Sequence, residues 1–176
     1  MSKVILETER LVLREMTMDD VDDLARIISD PETMRFYPQP YDRRGVEEWV
    51  ERNINRYAQD GHGLWAMILK SEDRLAGDCG LVIQTVEDVD ETEIGYHVNK
   101  NYWGRGLATE AARACRDYGF AQLNRNRLIS LIRPENIPSR RVAEKNGMRV
   151  VNETRLWKDI LHYVYAIERE HINSIE

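Results

Sequence analysis

The sequence predicts a mixed α/β (α+β) fold: a mostly antiparallel central sheet of about seven strands, flanked by about four helices. Three observations lead there. Segments with an apolar period of two alternate with helical-period segments in the order β-α-α-β-β-β-α-β-α-β-β. Polar turns at residues 71–74 and 158–159 join neighbouring strands as hairpins. The 176 residues, 42% apolar and 32% charged, suit one domain spanning residues 1–176 with a core of its own.

The elements follow from the chain in order. Arg10-Leu11-Val12-Leu13-Arg14 alternates as a short strand, and Thr17-Met18-Asp19-Asp20 resembles a capping box opening a helix over 19–29. Pro31, Pro38 and Pro40 mark a broken connection. Val46, Trp49, Val50, Ile54 and Tyr57 then fall at helical spacing up to Asp60-Gly61. Residues 64–69 and 75–84 read as two antiparallel strands, the second containing Gly77 and Gly80. After an acidic turn, residues 91–98 alternate, with Ile94, Tyr96 and Val98 on one face and Glu91, Glu93, Gly95 and His97 on the other. Residues 107–123 form a helix whose Ala108, Ala111, Ala112 and Cys115 give a narrow face for close packing. A strand over 127–132, a helix over 136–146 closed by Gly147, and a hairpin over 148–157 and 160–170 complete the order.

The charge balance excludes some partners. Lys and Arg number 25 against 31 Asp and Glu, a net −6 that argues against nucleic acid and anionic membrane surfaces. Yet residues 100–149 hold 11 basic and 4 acidic residues, so positive charge is concentrated there. The longest apolar run, residues 64–69, falls far short of the ~20 residues that span a bilayer. The first ten residues are broken by charge before a signal-peptide core forms, so a cytoplasmic protein is expected. Cys79 and Cys115 lack CxxC spacing, and His62, His97, His162 and His171 are scattered. Neither a disulfide framework nor a metal site is expected.

The chemistry concentrates in Trp103-Gly104-Arg105-Gly106-Leu107-Ala108-Thr109-Glu110-Ala111, between a strand and a helix. Bare backbone at Gly104 and Gly106 turns sharply and presents N–H groups at the positive end of the helix, a ready phosphate site to which Arg105 adds a cation. The alternative is that the two glycines only make a tight β-to-α turn. A dinucleotide fingerprint needs a third glycine where Thr109 stands, and no Gly-Lys-Ser/Thr triplet occurs, so nicotinamide cofactors and nucleoside triphosphates are disfavoured.

These residues resemble the acetyl-coenzyme A signature of the GNAT superfamily of N-acetyltransferases, Gln/Arg-x-x-Gly-x-Gly/Ala, with Gly106 and Ala108 on the last two positions. Trp103 departs from the first position. With Glu93-Ile94-Gly95-Tyr96, Trp103-Gly104-Arg105-Gly106 and Ala108-Thr109-Glu110-Ala111, the chain is similar to the subgroup of ribosomal-protein amino-terminal (alanine/serine) acetyltransferases. Asn136-Ile137-Pro138-Ser139, followed by Lys145-Asn146-Gly147-Met148, matches that subgroup's second signature, with Met148 for Phe. Glu7-Thr8-Glu9-Arg10-Leu11-Val12-Leu13-Arg14 resembles its opening strand.

The resemblance implies a GNAT-like fold and transfer of an acetyl group from acetyl-coenzyme A to a primary amine. It places the pyrophosphate on the amides from Gly104 through Arg105, Gly106, Leu107 and Ala108 to Thr109, beside Trp103, and the pantetheine arm along the strand edge near Val98. Arg140, Arg141 and Lys145 are candidates for the 3′-phosphate, or a solvated helix face. Only a neutral amine attacks, so a group must remove a proton from amines of pKa about 8 to 10. Glu93 is the first candidate. Its alternative is an exposed strand glutamate. The resemblance puts Ser139 near the departing sulfur and Asn136 on the pantetheine amides, although both are equally suited to capping a helix. Tyr163, Tyr165 and His97 are weaker acid–base candidates. The oxyanion is expected on a backbone N–H near Val98.

Direct transfer in a ternary complex is expected, because Cys79 and Cys115 lie outside both signatures. The acidic balance outside residues 100–149 favours a cationic acceptor, such as a protein amino terminus or a small cationic amine. A non-catalytic coenzyme A-binding regulatory module and a simpler phosphate-binding adaptor are the competing readings. The apolar helix and the last hairpin are surfaces either for the core or for a homodimer.

Overall fold

The computed structural model describes residues 2–174. Its sheet has eight strands in the order β1-β2-β3-β4-β5-β6-β8-β7. These are β1 (Val4–Glu7), β2 (Leu11–Arg14), β3 (Leu64–Leu69), β4 (Arg74–Val86), β5 (Val89–Val98), β6 (Arg127–Ile132), β7 (Arg149–Leu156) and β8 (Ile160–Glu168). Every neighbouring pair is antiparallel except β5 and β6. The strand beyond the seven expected is β1, whose four residues are too few to display a period; it pairs with β2 across the turn closed by the Thr8 amide on the Leu11 carbonyl.

The period-two pattern decides which layer each strand residue joins. Leu64, Ala66 and Val82 pack against α1 (Val21–Ile28) and α2 (Arg43–Gln59), where Leu24, Ile27, Val46 and Val50 are fully buried. Trp65, Met67 and Ile94 face α3 (Leu107–Ala121) and α4 (Ile137–Lys145). The small face of α3 behaves as its composition requires: Ala111, Ala112, Cys115 and Gly119 lie on the sheet, and a Cβ at Gly119 would stand 3.0 Å from Leu128. The apolar face of α2 is thus covered by the core, while β7 leaves Val150 and Val151 exposed at the sheet edge.

The first helix begins later than its capping pattern suggests, because residues Met18–Asp20 form a 3₁₀ turn. Asp20 is the reason. Its buried carboxylate accepts both guanidinium arms of Arg14, at 2.8 and 2.6 Å, and the Thr17 amide at 2.8 Å, tying β2 to the helix start. Burial opposes ionisation of Asp20, but these donors outweigh it and hold the carboxyl below its ordinary value. A depressed carboxylate contributes stability that is present above about pH 4 and lost as pH falls through its folded value. Asp20→Ala is expected to cost about 3 kcal/mol in urea unfolding at neutral pH, by stranding Arg14, and to flatten the loss of stability on the acid side.

Candidate active site

The site opens where two parallel strands separate. β5 and β6 share one register pair, Glu93 with Ile129, reinforced by the Ser130 hydroxyl on the Ile94 carbonyl at 2.9 Å. β6 keeps β8 on its other edge from Arg127 to Ile132, but beyond that point it no longer pairs with β5, which continues alone on that side. The Asn99 amide bonds Ala76 on the β4 side, so strand alternation turns the Tyr96 and Val98 backbone groups toward the vacated side. That is a strand edge suited to an extended amide chain.

At the end of β5 the chain passes through Trp103, whose indole donates to the Val98 carbonyl at 2.8 Å. Gly104 and Gly106 follow, with φ of +74° and +79°, a left-handed backbone that glycine adopts without strain. Gly106 is the N-cap of the 15-residue α3, so the amides of Leu107, Ala108 and Thr109 lack partners within the helix and stand at its positive end, where an anion is favoured. Leu107 sends its side chain into the core and offers only its backbone. The first turn is held by Glu110, a residue with no role assigned from the sequence. Its carboxylate accepts Thr8, the Arg10 amide and the Arg10 guanidinium, while Arg10 also donates to the Arg105 carbonyl at 2.8 Å. The glycine loop is therefore clamped to the β1–β2 turn.

A cavity of about 490 Å³ runs along this loop, lined by Tyr96, Val98, Trp103, Gly104, Gly106, Ala108, Thr109, Asn136, Ser139, Arg141 and Lys145. Arg141 and Lys145 are exposed and form no ion pair among the described residues, as phosphate ligands require. Two expected cations face elsewhere. Arg105 does not line the cavity; its guanidinium stands over the Tyr102 ring and 3.7 Å from Glu72. Arg140 lies over Tyr163 and donates to the Tyr165 hydroxyl at 3.1 Å. Tyr163 and Tyr165 are likewise outside the cavity: Tyr165 is buried on Glu144 and Arg140.

A second cavity, about 310 Å³, lies on the opposite face of β5 and is lined by Glu93, Gly95 and His97 together with Tyr41, Trp49, Trp157 and Leu131. The two cavities share Phe36, Tyr37, Tyr96, His97, Asn136 and Ser139, so they open into one another at that junction. Phe36 and Tyr37 come from the proline-marked connection, which carries no periodic signal. That connection is pinned by Lys100, which pairs with Asp30 and Glu32, and by Arg35, stacked 5.0 Å from Trp103.

Glu93 is 8% exposed rather than an exposed strand residue. Burial pushes its carboxyl up to about 7, against the opposing pull of the Leu131 amide and of the nearby His97 and Arg56. Asn136 caps α4, its side chain accepting the Ser139 amide at 3.2 Å, and it also lines both cavities. The Ser139 hydroxyl is 2.7 Å from that of Tyr96, which also donates to the Ser139 carbonyl at 3.1 Å. Burial raises the Tyr96 phenol, keeping it protonated as a donor. Its sequence signal was its place after Glu-x-Gly. His97 is held by Asp78, which accepts its Nδ1 at 2.8 Å and its amide at 3.0 Å while also accepting the Trp49 indole. Its Nε2 is buried without a partner among the described residues.

Among the described residues no group of three or more His, Cys, Asp or Glu side chains is placed to hold a metal, and no helix is long and apolar enough to cross a membrane. Cys79 and Cys115 are fully buried in the core, away from both cavities.

Residues 10–149 match the acetyltransferase (GNAT) domain family. The N-acetyltransferase YnaD of Bacillus subtilis, itself uncharacterised, is 34% identical over 177 residues, covering 96% of this chain and 99% of the relative. A GNAT-family acetyltransferase from Bacillus anthracis shares the fold with a TM-score of 0.80 and 30% identity, over 94% of this chain and 98% of that one. A ribosomal L7/L12 α-N-protein acetyltransferase, RimL, in complex with coenzyme A, shares the fold with a TM-score of 0.75 at 17% identity, over 94% and 98% of the two chains.

A side chain at Gly106 would have to adopt a left-handed backbone at a cost of about 1 to 2 kcal/mol, or else move the amides of α3. Gly106→Ala is therefore expected to weaken acetyl-coenzyme A binding about tenfold in calorimetry and to lower the unfolding midpoint by about 2 to 8 °C, the chain remaining folded at the temperature of the titration.

Proposed function

The chain belongs to the GNAT acetyltransferase family, whose fold binds acetyl-coenzyme A, and we propose that it acetylates a primary α-amine by direct attack in a ternary complex, as one domain over residues 1–176. The observation that carries this reading is the meeting of the two cavities, one beside the glycine loop and one beside a buried carboxylate poised near neutrality.

Acetyl-coenzyme A, when bound, supplies the acetyl thioester. The amides from Gly104 to Thr109, with Arg141 and Lys145, hold its phosphates, and the Val98 edge receives its amide arm. Asn136 and the capped start of α4 close the wall opposite that edge. Glu93 takes the proton that the amine must lose, directly or through a water over the bare surface of Gly95. The Tyr96 hydroxyl, backed by Ser139, gives a proton to the departing sulfur. The Val98 amide is oriented to hold negative charge on the carbonyl oxygen. A non-catalytic coenzyme-binding module or a plain phosphate adaptor needs none of these proton-handling groups, and the buried Glu93 argues against both.

The acceptor is narrowed by its cavity. A small cationic amine, expected from the chain's acidic balance, finds Glu93 as the one acid among the lining residues, beside Arg52, Arg56 and Arg133. An α-amine attached to a backbone fits those walls better.

The test is thiol release with a panel of amines. A base of pKa about 7 in the free enzyme must be deprotonated to act, so kcat/KM should show a limb rising with pH through about 7. Glu93→Gln should lower kcat by about 10²-fold, abolish that limb, and leave acetyl-coenzyme A binding intact. Thioester binding without acetylation of any amine, in wild type as in variant, would restore the module reading. Tyr96→Phe should lower kcat by about tenfold or more with little change in KM.

A further inference from the structure

The acceptor cavity is lined by three arginines, Arg52, Arg56 and Arg133, against one acid, Glu93, a positive surplus that the acetyl-transfer reading does not use. Along α2 the first two arginines are each matched four residues on: Arg43 with Glu47 and Arg44 with Glu48, both at 3.0 Å. Arg52 and Arg56 repeat that spacing as two cations, a like-charge pair that weakens an isolated helix. Neither forms an ion pair among the described residues, and both line the acceptor cavity and not the coenzyme cavity. Arg56 is half-buried; burial and then the neighbouring Arg52 push its guanidinium below its ordinary value. Arg133 enters from β6's end. One of its arms holds the Phe36 carbonyl at 3.3 Å and the other pairs with Glu135 at 3.5 Å, while its Nε is buried without a partner among the described residues. Guanidinium groups gathered on one cavity, Arg52 exposed at its rim and Arg56 and Arg133 half-buried, are a site for a planar anion.

The position of these cations says which anion. They stand apart from the glycine loop, so the coenzyme's phosphates do not account for them. Arg56 is close enough to Glu93 for each to affect the other's ionisation. The remaining walls are aromatic, and a volume of about 310 Å³ matches an amino acid or a dipeptide.

Resting on the acetyltransferase reading, we propose that the acceptor is an amino acid or dipeptide whose α-amine lies toward Glu93 while its own carboxylate is held by Arg52 and Arg56. In the transfer the amine nitrogen forms the C–N bond as the C–S bond breaks. The proton lost from nitrogen leaves through Glu93, and the sulfur is protonated from the Tyr96 side, giving an N-acetyl amino acid and a free thiol.

The experiment compares each carboxylate with its neutral amide: phenylalanine with phenylalaninamide, and alanylphenylalanine with its C-terminal amide, with spermidine as a cationic control. Thiol release is followed on the full chain and the acetylated products are identified by mass. For the amino acid the comparison is weighted against the proposal, because the amide has the lower amine pKa and so the larger neutral fraction near neutral pH. The expected result is a kcat/KM about tenfold higher for at least one carboxylate than for its amide. Arg56→Gln should bring that ratio to about one, with Arg56→Lys restoring part of it. The same comparison in Arg52→Gln keeps the test decisive if an Arg56 variant folds poorly. Preference for the amides or for spermidine, a ratio untouched by the arginine substitutions, or acetylation of neither carboxylate overturns the proposal. Saturable acetyl-coenzyme A binding in the same protein shows that the acetyltransferase reading survives such a failure; loss of that binding as well overturns both.

Discussion

The site depends on the parting of β5 from β6. Parallel strands in a sheet normally continue their ladder, and here the ladder is one register pair long. Where β6 stops pairing with β5, the Val98 carbonyl takes the Trp103 indole and the Val98 amide faces the vacated side. In the proposed function an extended amide chain lies along that edge. The same parting leaves a cavity on each face of β5, so alternate residues line different cavities: Val98 the one beside the glycine loop, and Glu93 and Gly95 the other.

Glu93 gains its chemistry from standing at the fork. It is at the last point where β5 still has β6 beside it, close enough to accept the Leu131 amide and deep enough that burial dominates its ionisation. One residue earlier or later its side chain would point into the other layer. Two residues toward the C-terminus it would lose the cover of β6. Tyr96, three residues on, points to the opposite face, so the proton acceptor and the proton donor flank the same strand.

Much of this was legible in the sequence wherever backbone geometry is local. Gly104 and Gly106 signal a left-handed turn into a helix, the alternation over 91–98 sorts Glu93 from Tyr96, and Gly147 closes α4 where expected. What escaped depends on contacts distant in sequence. Glu110 stands about 100 residues from Thr8 and Arg10, and nothing local says that it clamps the coenzyme loop to the sheet edge. Arg105 and Arg140 looked like phosphate ligands because a charge count is blind to direction; Glu72 and Tyr165 claim them instead. Phe36 and Tyr37 sit in an aperiodic connection whose position is set by Lys100.

The arrangement of charge follows from the same geometry. A chain of net −6 still presents cations to both of its cavities, and it draws them from different places. The coenzyme side uses Arg141 and Lys145 on α4 with the amides of α3, where helix polarity and exposed side chains act together on a flexible anion. On the acceptor side Arg52 and Arg56 of α2 line the cavity, Arg52 exposed and Arg56 half-buried, and neither forms an ion pair among the described residues. Negative surplus elsewhere cannot neutralise them, since surface charges beyond roughly 10 Å are screened at ordinary ionic strength. The local field at the junction is therefore set by a few arginines and by Glu93, and it favours a substrate that arrives carrying its own carboxylate.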